Sequence, residues 1–132
     1  MADIIKTWPT VVSAKATARM FSPTVPTFHR YYFTLGRGRP KQAIERLWFT
    51  YQGRILGYFI VEEIVVNDGT LPKLHRLDGG ESDWQMRKDA IVAVCAPPCV
   101  RLKDRVFMDG FRGFRYFDLE SYRAQPESRH RI

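Results

Sequence analysis

Apolar and polar positions alternate through ERLWFTYQ (45–52) and again through RILGYFIVEEIVV (54–66), with Gly53 between them. A period of two over runs this long predicts two β-strands, and the short glycine-bearing break makes them a hairpin. Upstream, FHRYYFTL (28–35) has the aromatic, β-favouring composition of another strand. Gly36 to Gln42, with two glycines and Pro40, reads as the flexible loop between them. Downstream, NDGTLPKLHRLDGGES (67–82) is turn-rich and holds no strand. AIVAVC (90–95) predicts a buried strand stopped by Pro97-Pro98, and VRLKDRVFM (100–108) is β-like. GFRGFRYF (110–117) predicts a last strand with a bend at its glycine.

Helical signals are short. SAKATARM (13–20) has Ser13 as N-cap and good helix formers behind it, and the prolines of FSPTVP end it. Ser82 caps a second predicted helix over DWQMRKD, and Asp118 a third over DLESYRAQ (118–125). PESRHRI reads as a frayed tail, so the expectation is one domain over 1–125 and a disordered 126–132. Five or six short strands with glycine-marked bends and few helices predict a mainly β fold: a small, partly open β-barrel with short flanking helices. Strands do not alternate with long helices, which argues against a doubly wound nucleotide-binding sheet.

Composition narrows the class. A chain of 132 residues with 45% hydrophobic and 14% aromatic content can bury one real core. No run of about 18 uncharged apolar residues predicts a membrane span. MADIIKTWPT lacks the apolar centre of a secretory leader, and Cys95 and Cys99 are too few for a disulfide framework. The expectation is a reduced, cytoplasmic protein. Charge matters through its placement: residues 1–60 carry nine Lys/Arg against Asp3 and Glu45, whereas 61–132 carry twelve of each sign. The whole +7 therefore comes from the first part, the one-sided field expected of a protein that meets phosphates.

Most enzyme chemistries find little footing. There is no G-x-S-x-G elbow, and LGRGRPK and DGFRGF lack both the Walker ending and the dinucleotide fingerprint. Cys95, Cys99, His29 and His75 are the residues a zinc ion could recruit. CAPPC has no second close-spaced pair, however, and Cys95 sits in an apolar run, so neither metal nor cofactor is expected. Glu62 and Glu63 fall on opposite faces of a strand, so only one could point inward as a general base, and the expectation is that both meet solvent near the sheet edge.

Cations interleaved with aromatic residues form the more specific pattern. Arg37, Arg39, Lys41 and Arg46 lead into Trp48 and Tyr51, while Arg112 and Arg115 lie in the closing segment. Guanidinium groups bind phosphate bidentately and stack on bases. Trp48, Tyr51, Tyr31, Tyr32 and Tyr116 offer flat surfaces for a base. Alternation sets Trp48 and Thr50 on one face and Phe49 and Tyr51 on the other, so one of the two aromatic pairs belongs to the core.

A basic loop, then ERLWFTYQGRILGYFIVEEI, then a closing GFRGFRYF resembles the PUA-like superfamily over about residues 28–118, and within it the ASCH and EVE branches. The resemblance implies a small β-barrel whose cleft takes RNA, DNA or a modified nucleobase. Gly38, Lys41, Glu45 and Arg46 stand where ASCH proteins carry G-x-K-x-x-E-x-R, with a different spacing. For those ASCH members that are amidohydrolases on acylated cytidine, it would give Lys41, with Thr50 or Thr34 and Glu62 or Glu63, as the working set. For the EVE branch it implies an aromatic cage around a flipped base, which Trp48 and neighbouring tyrosines would supply. The sequence thus reads as a nucleic-acid or modified-nucleobase binding domain with a basic, aromatic-walled cleft. A small hydrolase of modified nucleosides and a module binding an acidic protein are the alternatives.

Overall fold

The structure, a computed structural model, describes residues 2–7, 21, 30–35, 38–68 and 89–125. The helices expected over 13–20 and after Ser82, and the tail 126–132, lie outside the described residues, as do Arg37, His29 and His75. Within the described residues the chain is mainly β. Strands β1 (Ala2–Thr7), β2 (Tyr31–Thr34), β3 (Ile44–Tyr51), β4 (Arg54–Val66), β5 (Ile91–Arg101) and β6 (Phe114–Phe117) precede one short helix, α1 (Leu119–Arg123). They form one mixed sheet in the order β2-β5-β4-β3-β1-β6, which is not closed by hydrogen bonds between its end strands.

The β3–β4 hairpin forms where alternation predicts it. Tyr51 pairs with Arg54 across Gln52-Gly53, whose φ angles of 51° and 82° put both turn residues in the left-handed region. Such a turn matches the right-handed twist of the flanking strands, and glycine at its second position carries no steric penalty. Bulges then bend the long strands: register slips at Phe49/Thr50 against β4, and at Tyr58/Ile60 and Val61/Glu63 against β5. Gly57 lies inside this bend, where a Cβ would collide with the Val100 carbonyl. The sheet coils far enough that Lys6 of β1 donates its ammonium to the Thr34 carbonyl of β2, four strands away in the order.

Three expectations need correction. β1 went unrecognised because Ile4 and Ile5, 0% and 1% exposed, bury opposite faces, so the strand shows no alternation. β5 runs through Pro97-Pro98 to Arg101 rather than stopping before them, at a stretch where the β4 register slips and ladder hydrogen bonds are already interrupted. Residues 102–113 form no strand beyond one bridge, Arg54 with Phe107.

Each sheet face carries a core. The concave one gathers Ile4, Leu47, Phe49, Tyr51, Phe59 and Val61 with β2 and β5 residues. There the Phe59 ring lies 5.0 Å from Tyr31, 5.1 Å from Phe33 and 5.8 Å from Phe49, the tilted separations favoured by ring quadrupoles. On the other face Ile5, Trp48 and Ile55 are covered by the returning segment, through Val106, Met108, Phe111, Leu119 and Tyr122. That segment is fastened by Tyr122, whose hydroxyl donates to the Phe107 carbonyl at 2.6 Å, and by the ion pair of Arg123 with Asp104 at 2.7 Å. Thr7 adds a third tie, accepting from the Phe111 N–H at 2.8 Å.

Candidate functional site

Where β1, β3 and β6 meet the start of α1, a cleft of about 650 Å³ opens. That volume is typical of small-ligand sites. Its aromatic lining residues are Tyr116, the exposed one, Phe117, and Trp48, which is itself buried, and Arg46 and Gln42 contribute polar groups. Asp3, Glu45, Asp118 and Glu120 bring four carboxylates to the same lining.

Parallel pairing of β1 with β3 and antiparallel pairing of β1 with β6 place these groups together. Asp3 is opposite both Arg46 and Phe117, and Ile5 is opposite both Trp48 and Arg115. Trp48 is 4% exposed, and its indole N–H donates to the Asp3 carboxylate at 2.9 Å, so the indole edge is fixed from β1. Its ring packs at 4.7 Å from Tyr58 and at 5.5 Å, edge-on, from Phe117. The Arg46 guanidinium lies 4.8 Å from the Tyr58 ring centroid, a cation–π contact. Its Nε is buried with no hydrogen-bond partner among the described residues. Asp118 caps α1, accepting from the N–H groups of Glu120 at 3.0 Å and Ser121 at 3.4 Å. Tyr116 is the exposed ring, 47% accessible, with its hydroxyl accepting the Lys41 backbone N–H at 2.7 Å. Loop 38–43 is thereby tied to the rim, and Gly38 sits close to the Phe114 ring.

The remaining candidates are distributed around this cleft rather than gathered in it. Arg39 is exposed and donates to the Ile64 carbonyl at 3.1 Å, holding the loop to β4. Lys41, next to Gln42 of the lining, is exposed, as is Arg112. Arg115 is exposed with its guanidinium 4.2 Å from the Phe111 ring centroid. Of the named cations among the described residues, Arg46 alone lines the cleft, and carboxylates outnumber it. The expected basic cleft is therefore aromatic-walled but acid-rimmed, because a strand absent from the sequence reading brings Asp3 and the α1 cap brings Asp118 and Glu120. Tyr51 is 6% exposed within the concave core, where β-alternation with Phe49 directs it, and it presents no stacking face.

The alternative catalytic residues are engaged separately. Thr50 is 1% exposed, its hydroxyl 3.3 Å from that of Thr7. Glu62 and Glu63 are both exposed, as expected of acids near the sheet edge, and Glu62 pairs with Arg30 at 2.5 Å. Thr34 receives the Lys6 ammonium on its carbonyl. Burial lowers the Lys6 amine to about 8, partly offset by the neighbouring Cys95. Burial pushes the Cys95 and Cys99 thiols well above the ordinary range, so both stay protonated. Among the described residues no cluster of three or more His, Cys, Asp or Glu could hold a metal ion, and no helix is long and apolar enough to cross a membrane.

Asp3, Phe117, Asp118 and Glu120 are among the lining residues that the sequence did not mark as site residues. Phe117 belonged to a recognised strand, but nothing local marked which of its faces met the cleft. No family model matches this chain, and neither a curated protein nor a solved structure matches it significantly.

Proposed function

We propose that this chain is a nucleic-acid-binding domain of the PUA-like kind its sequence resembles, taking one unstacked base into the cleft. Phosphates on either side of that base meet Lys41 and Arg39 on the loop tied to the rim. Arg112 and Arg115 extend the cationic surface along the segment leading into β6. The observation that carries this reading is Tyr116: a residue of the cleft lining, 47% exposed, whose hydroxyl accepts the backbone N–H of a cationic residue at 2.7 Å. A flat exposed ring beside exposed cations suits a base and its phosphate, and an interior of rings and hydrogen-bonding groups suits a base that has left its stack. The carboxylates of the lining, including Glu45 and Glu120 at its rim, disfavour phosphate there, which leaves the backbone to Lys41 and Arg39 on the loop beside it.

Fluorescence anisotropy with short single-stranded RNA and DNA, repeated across a salt series, tests this. Affinity should fall with salt, each phosphate contact contributing a slope of about 0.7. Lys41→Ala should remove about one such contact. Tyr116→Ala should cost roughly 1–3 kcal/mol with little change in slope, because stacking releases no counterions. Salt-independent binding, or two variants indistinguishable from wild type, would refute the proposal.

A further inference from the structure

We infer that the cleft selects a base carrying a positive charge, as ring-N-methylated adenine or cytosine does, over the neutral isomer of the same base. This rests on the reading that a base enters the cleft, and adds to it the charge of that base. The lining combines three rings with four carboxylates and one guanidinium. Two of the carboxylates are committed to structure, Asp3 to the Trp48 indole and Asp118 to the α1 cap. Both still place carboxylate oxygens at the wall. Glu45 and Glu120 are exposed on the rim, and Glu120 is only 3.7 Å-distant from Arg123, a loose i,i+3 pair.

Arg46 opposes this field with a single charge, held over the Tyr58 ring at 4.8 Å from its centroid. A neutral base gains stacking and hydrogen bonds from such a site. A cationic base gains in addition the attraction of the ring faces for positive charge and the unbalanced carboxylates. Free phosphate groups meet the opposite field, so the discrimination belongs to the base and not to the nucleotide as a whole.

Isomeric nucleosides isolate the charge. 1-Methyladenosine and N6-methyladenosine contain the same atoms, as do 3-methylcytidine and 5-methylcytidine, and only the first of each pair is a cation at neutral pH. Titration calorimetry with the four free nucleosides should show each cation binding about tenfold tighter than its isomer, equivalent to about 1.4 kcal/mol. In the Glu45→Gln/Glu120→Gln double variant the preference should collapse to about threefold or less. Equal binding of the isomers would overturn this inference and leave base binding in the cleft standing. Failure of all four to bind would overturn both. A preference that persists undiminished in the double variant would also overturn the inference, by placing the selecting charge elsewhere.

Discussion

Removing the Asp3 carboxylate tests how the cleft wall is built. Trp48 is 4% exposed, and its indole N–H is satisfied at 2.9 Å by Asp3, so Asp3→Ala leaves a buried donor without an acceptor. An orphaned buried donor costs about 1–3 kcal/mol, and the lost bond was charge-assisted, which points to the upper half of that range. Asp3→Asn keeps a carbonyl at the same place and should cost less than Asp3→Ala. Trp48→Phe removes donor and ring volume together. On that background Asp3→Ala should cost little, because no N–H remains to be stranded. The difference between the two Asp3→Ala values, a coupling energy of about 1–2 kcal/mol, measures the bond itself. Urea unfolding with unchanged m-values is the appropriate assay, since a common slope shows that the denatured state has not moved. An Asp3→Ala cost below about 0.5 kcal/mol, or equal costs in both backgrounds, would refute the claim that β1 fixes the indole.

Two further perturbations probe the sheet. Lys6 has its amine lowered from 10.5 to about 8 by burial, so the unfolded chain binds more protons than the folded one as pH rises past 8, and stability should increase there. The buried Cys95 and Cys99 thiols, raised from 9.0, act in the opposite sense: the unfolded thiols ionise first, so stability should fall above about 9. Urea midpoints across pH 7–10 should therefore pass through a maximum. Lys6→Met should abolish the rising limb, and a rising limb that persists in this variant would exclude Lys6 as its source. Gly57→Ala places a methyl against the Val100 carbonyl, a backbone group that cannot rotate away, and should cost about 1–3 kcal/mol by urea unfolding. A variant as stable as wild type would show that β4 and β5 can part at the bulge without loss.

Local pattern was enough for the parts of this protein whose information is local. Strand β4 has the bounds its alternation predicts, and β3 differs by one residue at each end. Gly53 marks the turn, and Asp118 caps the helix behind it. The β-rich, partly open architecture followed from the spacing of those strands. Tertiary structure alone decided the rest. β1 is buried on both faces and so carries no period, yet its parallel place between β3 and β6 brings Asp3 to Trp48 and lines up the cleft. Burial decided that Tyr51 belongs to the core. Of the cations that cluster in sequence, Arg39, Lys41 and Arg46 lie along a loop and a strand, so side chains only a few positions apart diverge, while carboxylates from positions 3, 45, 118 and 120 converge. The sign of charge at a site depends on which distant strands neighbour one another, and neighbouring strands are chosen by the shared burial of their faces, a property of no single segment.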